Sequence, residues 1–319
     1  MKRVELGRTG QTVSQISLGC MLMGTSTDEQ TSERILNSYL EAGGDFLDTA
    51  DCYAWWTSPE STGGESEKLL GRLLKGKRDK VFLATKVSAL LTDYAAAHAS
   101  GKGEPYYEGA SAKVIRRGID ASLRRLDTDH IDLYYIHVDD MVTPLEETLE
   151  ALDEIVRAGK VRYIGWSNVW TWRLERIHAL TRQNGWRSAP VAVQQQHSYL
   201  RPVAGTRNVA GQDMLDYLAA TDDISLAAYS PILGGVYEGR VDKPIWKQYA
   251  GPDAEIRLAG LETVAVELGV TKSQVVLAWL QQSERTIPII GPRTWEHYED
   301  YVPAFDLKLE PHHVKLLGQ

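Results

Sequence analysis

Residues 131–138 read IDLYYIHV, apolar on both faces, and TPLEETLEALDEIVRAGK follows at 143–160 and YIGWSN at 163–168. A short run without alternation is a strand buried on both sides. In the middle stretch Leu145, Leu149, Leu152, Ile155 and Val156 fall on one helical face. Thr143 is the expected cap, Pro144 suits the first turn, Glu146 completes a capping box and Gly159 ends the helix. Strand, helix and strand in this order predict a parallel pair joined by a crossover helix.

The same rhythm extends in both directions. Further strands are expected at 16–20 (ISLGC), 45–50 (DFLDTA), 81–87 (VFLATKV), 191–196 (VAVQQQ), 224–231 (ISLAAYSP) and 288–292 (PIIGP), which makes eight in all. Helical patterns occupy 30–42, 64–75, 111–126, 170–184, 211–220 and 271–282. Eight such units in 319 residues fit one (β/α)8 barrel domain over 1–319, a fold of ~250 residues before insertions. A doubly wound open sheet would carry a GxGxxG turn after its first strand, and LGCMLMG (18–24) is not one. The opening VELGRTGQTVSQ reads as a short hairpin that covers one end of the barrel.

Composition narrows the functional class. A net charge of -8 with no Lys/Arg stripe argues against a nucleic-acid surface. No window approaches the ~18 apolar residues of a membrane helix, and MKRVELGRTGQTVSQ lacks the apolar centre of a signal peptide. Cys20 and Cys52 are too few for a disulfide framework. A cytoplasmic protein is expected, and the composition selects no oligomeric state.

In a barrel of this kind the C-terminal strand ends form the active face. Those ends, with the loops that follow, deliver Asp48 and Tyr53, Lys86, His137, Ser167 and Asn168, Gln194, Tyr229 and Ser230, and Gly291. A tyrosine with a reference pKa of ~10 is a weak donor at neutral pH unless its anion is stabilised. A lysine beside it is expected to lower that pKa, an aspartate to hold the lysine, and a histidine to orient a substrate oxygen. Any one of these residues alone would more often be structural; their convergence on one face points to a proton-donating pocket for a carbonyl.

GGDFLDTADCY, LATKV, IDLYYIHV, IGWSN, AYSPILGG and IPIIGPRT stand in the order and spacing of the aldo-keto reductases, which the chain resembles from about residue 3 to residue 310. The resemblance implies a (β/α)8 barrel that binds NADP(H) across its C-terminal face and reduces aldehydes or ketones or, in reverse, oxidises alcohols. It implies Tyr53 as general acid, Lys86 and Asp48 as its tuning pair, and His137 as the carbonyl-orienting residue. For the cofactor it implies Ser167, Asn168 and Gln194 at the nicotinamide carboxamide, with His197 as the stacking ring. The segment 229–235, with Tyr229, Ser230 and Gly234, matches the pyrophosphate wrap. Gly291 and Arg293 match the loop that binds the adenosine 2′-phosphate. Where the family often has Gln, Glu and Asn, this chain has His297, Asp300 and Tyr301; Asp300 is expected to serve, and Tyr301 bears on NADPH-over-NADH preference.

Two other readings differ in class. An NADP(H)-binding regulatory subunit would share the cofactor residues and need no turnover. A metal-dependent hydrolase could use His137, Asp139 and Asp140, but no neighbouring strand end supplies a second histidine. Trp55, Trp56, Trp166 and Trp170 are candidate pocket walls, and the long loops at 88–111 and 231–260 are candidate covers for substrate and cofactor. No metal ligand set is expected.

Overall fold

Strand alternation organises the molecule. In the computed structural model, which describes residues 1–318, a hairpin of β1 (Arg3–Glu5) and β2 (Thr12–Ser14) precedes eight parallel strands. These are β3 (Ser17–Gly19), β4 (Phe46–Asp48), β5 (Phe82–Val87), β6 (Ile131–Ile136), β7 (Val161–Ser167), β8 (Pro190–Gln196), β9 (Ser225–Tyr229) and β10 (Thr286–Ile290). β10 pairs with β3 and closes the barrel, as the strand–helix rhythm predicts.

Side chains two apart on a strand share a face, so each strand sends one row inward. Phe46, Phe82, Ala84, Leu133, Tyr135, Ala192 and Ile287 pack inside the barrel with Val4, Leu6 and Val13 of the hairpin. The next inward residues up β4, β5 and β8 are Asp48, Lys86 and Gln194, so the same rows turn polar towards the C-terminal end. Gly165 on β7 makes room for this packing: a Cβ there would lie 2.4 Å from the Tyr135 ring. The alternate residues, among them Leu47, Leu83, Tyr134, Ile164 and Val193, face the helices in a second apolar layer.

The hairpin plugs the N-terminal end. The Gly7 N–H donates to Ser225 Oγ at 2.8 Å and the Gly7 carbonyl accepts from Arg285. Gly7 has φ of 56°, and a Cβ there would fall 2.5 Å from the Asp223 carbonyl oxygen, so only glycine fits that turn.

The expected helices form, at Glu29–Glu41, Glu65–Leu73, Ala112–Leu126, Leu145–Arg157, Thr171–Asn184, Gln212–Thr221 and Lys272–Leu280. The cap of the helix at 145 differs from expectation. Pro144 is the N-cap, with no side-chain bond. Thr143 instead donates to Asp140 Oδ2 at 2.6 Å, and Asp140 also accepts from the N–H groups of Val142 and Thr143. A carboxylate offering several acceptor sites captures the threonine before the helix begins.

The two long loops are folded. Residues 88–111 contain the helix Tyr94–Ser100 and a Leu91–Tyr107 bridge. Residues 231–260 form short helical turns at Leu233–Glu238 and Pro244–Gln248 and begin the helix Ala254–Leu268. Among the described residues no single helix is long and apolar enough to cross a membrane.

Candidate active site

The Lys86 side chain is 0% exposed and its ammonium makes three short contacts. Nζ lies 2.6 Å from Asp48 Oδ1, 2.7 Å from the Thr49 carbonyl and 2.8 Å from the Tyr53 hydroxyl. Three donors on one nitrogen thus meet three oxygens. The other Asp48 oxygen accepts from Gln194 Nε2 at 2.7 Å, so strands β4, β5 and β8 are tied together at one point. The hydroxyl of Tyr53 reaches this point because residues 49–53 turn back over the barrel mouth, Tyr53 N–H donating to Ala50 O.

His137 follows β6. Its ring meets the edge of Tyr53, with centroids 5.6 Å apart and planes at 81°. Its Nδ1 is 3.4 Å from Cys52 Sγ. Burial first, then the charge of Lys86, hold the imidazole well below its ordinary value. Burial, then the charge of Asp48, push the Tyr53 hydroxyl well above its own. The lowering expected for Tyr53 is therefore absent from the resting site. Loss of water around a phenolate, with a carboxylate on the same lysine, outweighs the hydrogen bond from Nζ.

A cavity of about 590 Å³ opens above these groups. Met21, Leu22, Trp55, Trp56, Ala89 and Tyr107 form an apolar wall beside Tyr53 and His137. Ser167, Asn168, Gln194, Tyr229, Ser230, Gly234 and Gly291 also line it. Asn168 sits at φ of 51°, the left-handed region that asparagine tolerates. Its Nδ2 donates to the His137 carbonyl at 2.9 Å and its Oδ1 accepts from the Tyr229 hydroxyl at 2.9 Å. After β9 the backbone takes positive φ at Ser230, Leu233, Gly234 and Gly235. A Cβ at Gly234 or Gly291 would meet nothing within 4 Å, so bare backbone faces open space at two places on the wall.

With this arrangement in view, the comparisons with known proteins decide the family. The model of the Aldo/keto reductase family matches residues 15–319. The chain belongs to that family. It is 35% identical over 330 residues to the uncharacterized oxidoreductase YrpG of Bacillus subtilis, covering 100% of this chain and 95% of that protein. It is 28% identical to a norsolorinic acid reductase of Aspergillus flavus, over 98% of this chain and 79% of the relative. Among solved structures, the thermostable aldo-keto reductase Tm1743, crystallised with the inhibitor epalrestat, aligns with a TM-score of 0.75 and 27% identity over 99% of this chain and 98% of that one. The family is one of oxidoreductases, and carbonyl reduction is the chemistry these likenesses carry in general.

Within this aldo/keto reductase not every expected residue gathers at the cavity. His197 lies elsewhere, its ring 6.3 Å from that of Trp279 beside a second cavity behind β8. It sits past the end of β8, one position beyond the inward-facing row of Gln194 and Gln196, which sends the ring outward. Arg293, His297 and Asp300 are on the loop and helix (Trp295–Tyr301) after β10 and do not line the cavity; Tyr301 does. Arg293 is exposed and has no ion-pair partner among the described residues. Asp300 accepts from Gln274 Nε2 through its backbone carbonyl at 2.7 Å.

Of the tryptophans, Trp55 and Trp56 line the cavity, whereas Trp166 is buried among the helices with Nε1 on Asp139 and Trp170 borders the second cavity. Asp139 pairs with Arg173 at 3.3 Å and Asp140 anchors Thr143, so both carboxylates have structural partners. The one His–carboxylate group close enough to share an ion among the described residues is Glu267 with His312 and His313, away from the barrel mouth. There His313 Nδ1 accepts from the Glu310 N–H, which leaves its proton on Nε2, towards Glu267. Residue types alone did not mark Cys52, Met21, Leu22 or Tyr107. The signal available for Cys52 was its place inside DTADCY.

Proposed function

We propose that this protein reduces an apolar aldehyde or ketone with NADPH, Tyr53 giving its phenolic proton to the carbonyl oxygen. The observation that carries this reading is the contact of Lys86 Nζ with Tyr53 at 2.8 Å while the same nitrogen is held by Asp48 at 2.6 Å. In the resting site the raised pKa keeps Tyr53 protonated, as a proton donor must be. When the proton leaves, the phenolate lies against a fixed ammonium, and that stabilisation is realised only as charge develops. His137, neutral and facing the cavity, supports the carbonyl oxygen as a second donor.

NADPH, when bound, supplies the hydride. Ser167, Asn168 and Gln194 would hold its carboxamide. Tyr229, on the cavity wall and bonded to Asn168, takes the stacking role that His197 is placed too far away to fill. Ser230, Gly234 and Gly291 would accept the pyrophosphate along the bare backbone, and Arg293, exposed and unpaired, a 2′-phosphate. The wall of Met21, Leu22, Trp55, Trp56 and Tyr107 contains no Lys or Arg side chain, which favours neutral apolar carbonyl compounds over phosphorylated or carboxylated ones.

The test is NADPH and NADH titration by fluorescence, followed by turnover of an aldehyde and ketone panel. Turnover lost in Tyr53→Phe with cofactor binding kept is the expected result. Wild-type rates in that variant would overturn the assignment of Tyr53.

A further inference from the structure

Cys52 stands directly before Tyr53, is 4% exposed, and shares the cavity wall with Tyr53 and His137. Its Sγ is 3.4 Å from His137 Nδ1, within reach of a sulfur hydrogen bond. Neither group has another side-chain hydrogen bond among the described residues.

The backbone of His137 is fixed on both sides. Its N–H donates to the Val87 carbonyl at 2.9 Å and its own carbonyl accepts from Asn168 at 2.9 Å. What the backbone bonds leave undecided is the orientation of the ring and the choice of nitrogen that carries the proton. The imidazole is neutral, for the reasons of burial and Lys86 given above. It therefore has one N–H, and only one nitrogen can donate. If the proton sits on Nδ1, the other nitrogen is a bare acceptor and cannot support a carbonyl oxygen.

The thiol decides between the two forms. Burial, followed by the charge of Asp51, pushes Cys52 well above its ordinary value, so the sulfur keeps its proton. Among the described residues the acceptor within reach of this S–H is Nδ1. We propose that Cys52 is a positioning residue: its S–H donates to Nδ1 of His137, fixes the ring, and places the single N–H on Nε2. The substrate oxygen then meets two donors, Tyr53 O–H and His137 Nε2–H. The effect on turnover rests on the reductase reading; the protonated nitrogen does not.

The experiment follows from that separation. Long-range 1H–15N correlation spectra of histidine-labelled protein identify the protonated nitrogen of His137, assigned by its loss in His137→Gln. The wild type and Cys52→Ser, which keeps a hydroxyl donor, are expected to show the proton on Nε2 alone. Cys52→Ala is expected to show a mixed population and a kcat lower by about three- to tenfold, a fraction of the ~10²–10³ that a whole oxyanion donor supplies. Cofactor affinity should be unchanged, and Cys52→Ser should restore the rate.

A wild-type spectrum with the proton on Nδ1 would overturn the proposal without recourse to any variant. So would a Cys52→Ala protein with Nε2–H alone, or one with a mixed spectrum and an unchanged kcat. If wild-type protein turned over no carbonyl compound, the reductase reading would fall while the spectrum still reported which nitrogen is protonated.

Discussion

The two ends of the barrel use the same strand geometry for opposite purposes. At the N-terminal end the inward rows are Phe46, Phe82, Leu133 and Ile287, sealed by Leu6 and Val13 of the hairpin. Higher on the inward rows of β4, β5 and β8 stand Asp48, Lys86 and Gln194, and the space above them is open. A buried lysine and aspartate contribute little net stability even when paired, because both lose their water. The apolar end supplies the stability that lets the polar end hold a buried ion pair.

The sharpest test of that division is Tyr53→Phe. Loss of the proposed proton donor should lower kcat by about 10²–10⁴, while Tm moves little, since the ring and its contact with His137 remain. A large fall in Tm would mean that the hydroxyl is also a structural tie at the barrel mouth. Lys86→Met attacks the same end through stability. It strands Asp48 beside Gln194 and should cost about 3–5 kcal/mol, measured by denaturant unfolding. Lys86→Met with Asp48→Asn should recover much of that loss and none of the activity. A single variant as stable as the wild type would show that Asp48 is not left as an uncompensated buried charge when Lys86 is removed.

At the other end the signature reverses. Leu6→Ala removes a fully buried side chain from the hairpin plug and should cost about 2–5 kcal/mol. The kcat of the folded fraction should stay at the wild-type value, measured well below the new Tm. A changed kcat would show that the plug transmits strain through Tyr135 and Gly165 to the site above.

Much of this division was readable from residues. The eight strands and seven of the helices announced themselves by periodicity, because burial on both faces and on one stripe leaves different patterns. Asp48, Lys86 and Gln194 were visible because a barrel exposes its C-terminal strand ends, and the structure brings their atoms within hydrogen-bond distance. His197 shows what the list of strand ends missed: the alternation that turns Gln194 inward turns a residue three positions on outward, away from the cavity. The folded interior of the loop 88–111 was hidden for a different reason. Tyr107 reaches the cavity through the Leu91–Tyr107 bridge, a long-range pairing with no local period. The direction of the Tyr53 pKa was hidden too, since burial outweighs a hydrogen bond only once the surrounding atoms are placed.

Acid gives the mildest way to separate the two ends. His137 and His197 both follow strands at the C-terminal end. Burial lowers His197 from 6.5 to about 4 and carries His137 well below 6.5. The unfolded chain therefore takes up protons on both residues before the folded one does. Their contribution to stability is whole above pH 6.5; that of His197 is lost as pH falls towards about 4, and that of His137 is lost as pH falls through its own lowered value. Each such group adds a slope of about 1.4 kcal/mol per pH unit within its window. His197→Gln, outside the active cavity, should flatten the acid limb of the stability curve by about one proton and leave kcat near neutral pH unchanged. An unaltered limb would mean that His197 takes up its proton in the folded state, which its place beside Trp279 argues against. A flattened limb with reduced kcat would instead join the second cavity to the first, and Tyr229 is where the join would run, its hydroxyl touching both Asn168 and the Asn208 carbonyl.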